Sequence, residues 1–369
     1  MTATDRRIRV AICYTGAVGT QAIRLVCGRR DIDLVAVLVR DPAKEGIDAG
    51  VIARRDPVGV LTTRLLSDVI AAKPDCALWL GQGWQPLEVC TLLRGGVNVY
   101  TPVGAWYLPG DNQFSTIDAA CRAGGATLVG GGSIPGLVTD VLPLFLSGYV
   151  GEVRAIRACQ SNLIGDYPSA TQLSHGLGLG GPIPDSTLDP NDPRDHRWVG
   201  HITQSAHMIS DALGVELQPV QITDKQFAAA PHDIELPSGL IIRRGTTAGV
   251  RWVFTARDHT GAPFYQVVKE QVAVVELGPG WRASAEEPQW RVEVDGTPSL
   301  VCTLNPNAAN GFGATTAELN AARAINLVPR IVAAPPGCHS TLDFAASVGT
   351  VGRSAHGGSS SNSPTRSTP

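Results

Sequence analysis

The sequence predicts an α/β chain: an N-terminal parallel sheet with helices on both faces, then a mixed α+β part with a mostly antiparallel sheet. Three observations carry this reading. Up to about residue 147, continuous apolar runs alternate with helix-like segments. From Gly151 on, apolar and polar residues alternate with period two, as in strands packed on one face. With 369 residues, 43% of them hydrophobic, the chain exceeds one typical domain and can bury a sizeable core. The expected division is 1–147, 148–313, a segment 314–348 returning to the first unit, and a disordered tail, 349–369, rich in Ser, Gly and Thr.

The first run, Ile8 to Ile12, leads through Gly16-Ala17-Val18-Gly19 into a helical pattern at Ala22, Ile23 and Val26. A buried strand feeding a small-residue turn and a helix is how a Rossmann unit presents backbone N–H groups to a pyrophosphate. Gly16 and Gly19 fit the second and third glycines of G-x-G-x-x-G, but Tyr14 stands at the first, where a tyrosine lacks glycine's freedom to make the tight turn. An ordinary strand, turn and helix is the competing reading.

Residues 33–39 form the next buried strand, ending in Arg40-Asp41-Pro42. At this strand end an acid holds the adenosine ribose and an arginine accommodates a 2′-phosphate. Arg40, with Lys44 behind it, points to NADP, while Asp41 keeps NAD open and a solvated loop would carry the same charges. Helices are expected near 65–70, 87–93 and 114–124, and strands at 74–81, 96–102 and 126–130. Strand carboxyl ends gather ligands in such sheets, so Arg40, Gly81 to Gly83, Thr101 to Val103 and Gly130 to Ser133 should converge on one crevice. After Gly130-Gly131-Gly132-Ser133, the pattern following Pro135 predicts a helix whose N–H groups face that crevice.

Together with the N-terminal turn, three further runs (Gly132 to Pro143, Gly176 to Pro182, and Ile325 to Gly337) resemble the 2,4-diaminopentanoate dehydrogenase and native amine dehydrogenase family, relatives of dihydrodipicolinate reductase. The resemblance covers nearly the whole chain except the tail. It implies a Rossmann domain, an α+β domain carrying substrate and dimer contacts, and hydride transfer between NAD(P)H and an imine-type carbon. It also implies a glutamate just after the strand at 97–100, where amine protons are handled; this chain has Thr101-Pro102-Val103-Gly104-Ala105-Trp106-Tyr107 there, with no acid. An apolar replacement predicts a larger, greasier substrate or chemistry that needs only a hydride and a proton donor.

Beyond residue 150 a strand at 153–160 precedes an irregular piece, 161–197, of the length of a binding loop. Tyr167 and His175 are its candidate proton donors, with a surface position as the competing reading of each. Val103, Trp106, Tyr107 and Asn162 are candidate substrate contacts, although Trp106 and Tyr107 could equally be core or lid aromatics. A helix follows at 202–214; His201 and His207, six apart, fall on different faces, so no metal site is assigned and His207 reads as a partly buried helix residue. Further strands are expected at 220–223, 248–256, 263–274, 289–294 and 299–304, with His259 in an exposed turn, and a helix at 314–328. The sheet's free face would serve a homodimer.

The eight cysteines form no C-x-x-C pair and read as reduced core residues. A net charge of −3 gives no bulk attraction to nucleic acid, and neither a membrane span nor a signal-peptide core is evident, so a cytoplasmic protein acting on a small molecule is expected. The reading is an NAD(P)-dependent oxidoreductase acting on an imine, amine-bearing or carbonyl carbon. In it Gly16, Ala17, Val18 and Gly19 hold the pyrophosphate and Arg40 the adenosine ribose. Gly81 lies in the crevice, and Thr101, Pro102, Gly132 and Ser133 flank the nicotinamide. A non-catalytic NADPH sensor and a reductase of different chemistry on the same scaffold are the alternatives.

Overall fold

The computed structural model describes residues 6–344, apart from 82, 185–187, 190, 288 and 307–310. The expected tail, 349–369, lies outside the described residues. The first half alternates strand and helix: β1 (Ile8–Cys13), α1 (Ala17–Cys27), β2 (Ile32–Leu38), α2 (Ala49–Ile52), β3 (Thr62–Thr63), α3 (Leu66–Ala71), β4 (Cys76–Trp79), α4 (Pro86–Arg94), β5 (Asn98–Thr101), α5 (Phe114–Gly124), β6 (Thr127–Gly130) and α6 (Leu142–Ser147). The second comprises β7 (Val153–Leu163), α7 (Pro193–Leu213), β8 (Gln221–Ala229), β9 (Ile234–Glu235), β10 (Ile241–Ile242), β11 (Thr247–Arg257), β12 (Pro263–Val272), β13 (Trp290–Gly296), β14 (Leu300–Leu304), α8 (Phe312–Ala333) and β15 (Gly337–His339).

Seven strands make a parallel sheet in the order β3-β2-β1-β4-β5-β6-β15, the Rossmann order with one strand added at the end. Its runs are continuously apolar because both faces are covered. Val10, Ile12, Leu78, Tyr100 and Val129 pack toward α1 and α8, whereas Ala11, Cys13, Ala77, Trp79, Val99 and Leu128 pack toward α4 and α5. The small residues Ala317, Ala321 and Ala324 let α8 approach the sheet closely, and they are buried. The added strand, β15, comes from the Pro335-Pro336-Gly337 block and was not anticipated; three residues of Gly, Cys and His carry no strand periodicity.

The second sheet, β14-β13-β7-β12-β11-β8, is mixed. All its neighbours are antiparallel except β7 and β12, which run parallel, so the expected antiparallel setting of β7 holds on one side only. Ile156, Ala158, Val250, Trp252, Phe254 and Val267 form its inward face against Ile202, Ala206 and Ile209 of α7. This helix begins nine residues earlier than its apolar pattern predicts, so the irregular piece is shorter than expected. Asp192 caps it, accepting from Arg194 N at 2.9 Å, Pro193 occupies its first turn, and Gly214 closes it in the left-handed conformation. Its early turns look polar because Asp195 is buried against Lys225 Nζ (2.7 Å) and the Trp252 indole N–H (2.8 Å), partners far away in sequence. His207 is exposed, not partly buried, and His201 takes the inward position. All eight cysteines are free; Cys13, Cys76, Cys90 and Cys121 are buried and the other four are half-buried.

Lys269 is the unexpected inward residue. It shares the face of Tyr265 and Val267, is 5% exposed, donates to Gln160 Oε1 at 2.9 Å and lies 4.2 Å from the centre of the Trp198 indole. Burial pushes its pKa down from 10.5 to about 7. Between those values the unfolded chain binds the proton more tightly than the folded one, so stability rises with pH from about 7 to above 10. Lys269→Met should therefore be more stable than the wild type by several kcal/mol at pH 6–7, with the gap closing toward pH 10. Thermal unfolding across this range checks it; a gap independent of pH would contradict the assignment.

Candidate cofactor and active site

The turn between β1 and α1 builds an anion cradle. Gly16 caps α1 without a side-chain bond, leaving the first N–H groups of the helix unspent, and a Cβ on Gly16 would meet nothing within 4 Å. That open space is where a pyrophosphate would sit. At Gly19 a Cβ would lie 2.0 Å from the Tyr14 carbonyl oxygen, so only glycine lets helix and strand approach this closely.

Tyr14 corrects the expectation about the first position of the fingerprint. It adopts the left-handed backbone itself, with φ of 76°, at a cost of roughly 1–2 kcal/mol. Its side chain offsets that cost. The ring packs edge-on against Trp79 with centroids 5.0 Å apart, the hydroxyl donates to Glu88 Oε2 at 3.0 Å, and Arg40 lies over the ring face and donates to the hydroxyl at 3.3 Å. Gly81 makes this possible, because a Cβ there would come within 2.6 Å of the ring.

A cavity of about 250 Å³ opens beside the cradle, lined by Tyr14, Gly16, Arg40, Asp41, Lys44 and Gly81 among others. Lys44 Nζ stands 3.3 Å from Thr15 Oγ1, on the same side as the exposed Arg40. The Asp41 carboxylate is already engaged, accepting from Ala43 N at 2.9 Å to cap a short 3-10 turn. Two cations and one carboxylate, whose Oδ2 takes no hydrogen bond among the described residues, thus stand at this end of the cavity.

The neighbouring ends of β5 and β6 are held by a different network. Thr101 is fully buried, its hydroxyl accepting from Val103 N at 3.2 Å and its carbonyl from Gly131 N at 2.9 Å. The turn after β6 folds back on itself, with Leu137 N donating to Gly132 O and Val138 N to Ser133 O. The N–H groups after Pro135 are thus spent within the turn, which corrects the expectation that they face the crevice. Beneath them Asp140, fully buried, accepts through Oδ2 from Gly136 N (2.9 Å), Ser205 Oγ (2.9 Å) and Thr139 Oγ1 (3.2 Å), and through Oδ1 from Thr341 Oγ1 (3.2 Å). Burial pushes its pKa up to about 6 although these four donors pull the other way.

From the turn, contacts run along α8. Ser133 N donates to Asn320 Oδ1 at 3.1 Å, Asn320 Nδ2 donates to Thr316 O at 3.0 Å, and the Thr316 side chain lies beside the phenol of Tyr167. Burial pushes the Tyr167 pKa up to about 12. Asn320 and Thr316 thus lie between the Ser133 turn and Tyr167 of the loop after β7. His175 is not brought there. It is exposed, pairs with Ser174 Oγ at 3.0 Å, and lines a separate cavity with Gly178, Arg194 and Phe227.

Trp106 and Tyr107 clamp the β5 loop to α7. The buried Trp106 indole donates to Pro102 O at 3.2 Å and packs against His201 with centroids 4.7 Å apart; Tyr107 N donates to Gln204 Oε1 at 3.0 Å and the Tyr107 hydroxyl donates to Asp211. His201, flanked also by Trp198, is held down at about 4 by burial and by the charges of Arg197 and Lys269, so it stays neutral. Asn162 is likewise engaged, accepting from the Trp290 indole at 3.0 Å and donating to Gln271 Oε1 at 3.4 Å, and Val103 is half-buried. The wall His201, Trp198, Lys269 and Gln160 escaped the sequence reading. The position of Lys269 in a strand, in register with Tyr265 and Val267, was the signal that could have revealed it. Among the described residues no group of three His, Cys, Asp or Glu side chains is placed to hold a metal ion, and no helix is long and apolar enough to cross a membrane.

The family model described as the 2,4-diaminopentanoate dehydrogenase C-terminal domain matches residues 137–357. The chain belongs to this family. An amine dehydrogenase of Streptomyces virginiae is 28% identical over 371 aligned positions, covering 94% of this chain and 99% of the relative. A 2,4-diaminopentanoate dehydrogenase of Acetoanaerobium sticklandii is 24% identical over 241, covering 62% and 60%. The solved amine dehydrogenase of Mycobacterium smegmatis shares the fold, with a TM-score of 0.72 at 18% identity, over 91% of this chain and 96% of that one.

Proposed function

We propose that the chain is an NADP-preferring oxidoreductase that transfers hydride between the cofactor and an imine, amine-bearing or carbonyl carbon of a small to medium substrate. The observation that carries this is the cradle: open space at Gly16, uncapped N–H groups of α1, and Arg40 with Lys44 at its far end. The dehydrogenase names of both curated relatives support it. In this reading Gly16 to Gly19 hold the pyrophosphate, Arg40 and Lys44 a 2′-phosphate, and Thr101, Pro102, Gly132 and Ser133 flank the nicotinamide. Bound NADPH supplies the hydride.

Tyr167 supplies the proton. Its phenol stays protonated across the neutral range, and Thr316, beside it, lies about one helical turn from the Asn320 that anchors Ser133. The segment Thr101 to Tyr107 carries no carboxylate to stabilise an iminium, so the reading favours carbon–nitrogen or carbon–oxygen reduction driven by hydride and the phenol, on an apolar substrate. The protein is proposed to work as a homodimer through the outward face of the second sheet.

The test is NADPH oxidation by the purified protein against ketones with ammonia or amines, cyclic imines, and enones. Turnover of a C=N or C=O compound is expected. Enone reduction alone would replace the reading with a different reductase, binding of NADPH without any turnover would make the protein a sensor, and failure to bind either cofactor would end all three.

A further inference from the structure

Tyr14 and Arg40 line two cavities at once: the cofactor cavity, and a second of about 270 Å³ whose walls include Arg64, Leu66 and Glu88. Arg40 is exposed, and it is Tyr14 that it touches. The guanidinium carbon lies 5.0 Å from the ring centre, and Nη2 donates to the hydroxyl at 3.3 Å. A long exposed side chain loses much of its freedom when two contacts fall on one ring.

The ring itself is held. Its backbone is left-handed, Trp79 packs edge-on against it, and a Cβ at Gly81 would come within 2.6 Å of it. The single proton of the hydroxyl goes to Glu88 Oε2 at 3.0 Å, so only lone pairs remain to accept from Arg40. The phenol thus stands between a half-buried carboxylate and a guanidinium that would otherwise draw together. Arg40 therefore keeps its charge unspent at the cofactor cavity. A glycine at this position, as in the ordinary fingerprint, would offer it neither contact.

We propose that Tyr14 is a positioning residue for cofactor selection: it holds Arg40 where a 2′-phosphate would bind and keeps Glu88 from neutralising it. This rests on the NADP reading of the cradle and assigns the choice of cofactor to a relay, Glu88 to Tyr14 to Arg40, in place of Arg40 alone.

The test is the dissociation constant of NADPH and of NADH for the wild type, Arg40→Ala, Tyr14→Phe, and Tyr14→Phe combined with Glu88→Gln. Tyr14→Phe keeps the ring but removes the hydroxyl, leaving the carboxylate free to pair with Arg40. NADPH should weaken about ten-fold, while NADH moves less than two-fold and so reports that the variant is folded. In the double variant the competing charge is gone, and NADPH should recover most of the lost affinity. A merely structural tyrosine would change both cofactors alike, with no repair by Glu88→Gln. Equal losses, an unmoved NADPH constant in Tyr14→Phe, or no recovery in the double variant would overturn the role of Tyr14; an NADPH preference in the wild type that Arg40→Ala erases would leave the NADP reading standing. A wild type without that preference would overturn the reading and the relay together.

Discussion

Tyr167→Phe is expected to lower kcat by roughly 100-fold or more while leaving NADPH affinity within a factor of two. The phenol lies beside Thr316, about one helical turn from the Asn320 that anchors Ser133, and burial raises its pKa to about 12. Removing one oxygen leaves the ring packed beside Gly313 and spares every group of the cradle. A structural role would move the unfolding temperature and leave kcat alone. Single-turnover rates with saturating NADPH separate the two, and an unchanged hydride-transfer step would remove Tyr167 from the chemistry.

Asp140→Ala should cost about 3 kcal/mol or more of stability at pH 7, because one carboxylate receives the Gly136 N–H and three hydroxyls in a fully buried site. Its bonds join the turn after β6 to α7 through Ser205 and to the segment before residue 344 through Thr341, so the loss should loosen all three. The pH dependence has a definite sign. The folded pKa, about 6, lies above the ordinary 3.8, so the folded chain takes up this proton first as pH falls. Relative to Asp140→Ala, the wild type should gain about 3 kcal/mol between pH 7 and pH 3.5. Denaturant unfolding of both proteins at these pH values measures it; a difference constant with pH would mean that Asp140 is not the buried acid described.

Much of the parallel sheet was legible because a strand covered on both faces must be apolar throughout, and Val10 to Cys13, Cys76 to Trp79 and Thr127 to Gly130 are buried without exception. The start of α7 was not, since its first turns are polar for reasons that lie at Lys225 and Trp252. Tyr14 looked like a defect in the glycine fingerprint, and only the three-dimensional pairing with Gly81, Trp79 and Arg40 shows how a tyrosine holds the position. That Arg40 and Lys44 stand beside the cavity was readable from their place after a strand. The Asp140 network was not, because its partners come from residues 136, 139, 205 and 341, and no local pattern links them.

The central claim is that the Tyr14 to Gly19 turn, with Arg40 and Lys44, receives the phosphates of NADPH. Its most direct test is the dissociation constant of NADPH and of NADH for the wild type and for Arg40→Ala. A charged hydrogen bond is worth about 1.5–3 kcal/mol, so NADPH should bind at least ten-fold more tightly than NADH to the wild type, and the substitution should erase most of that preference by weakening NADPH alone. Equal affinities in the wild type, or equal losses for both cofactors in Arg40→Ala, would contradict the account.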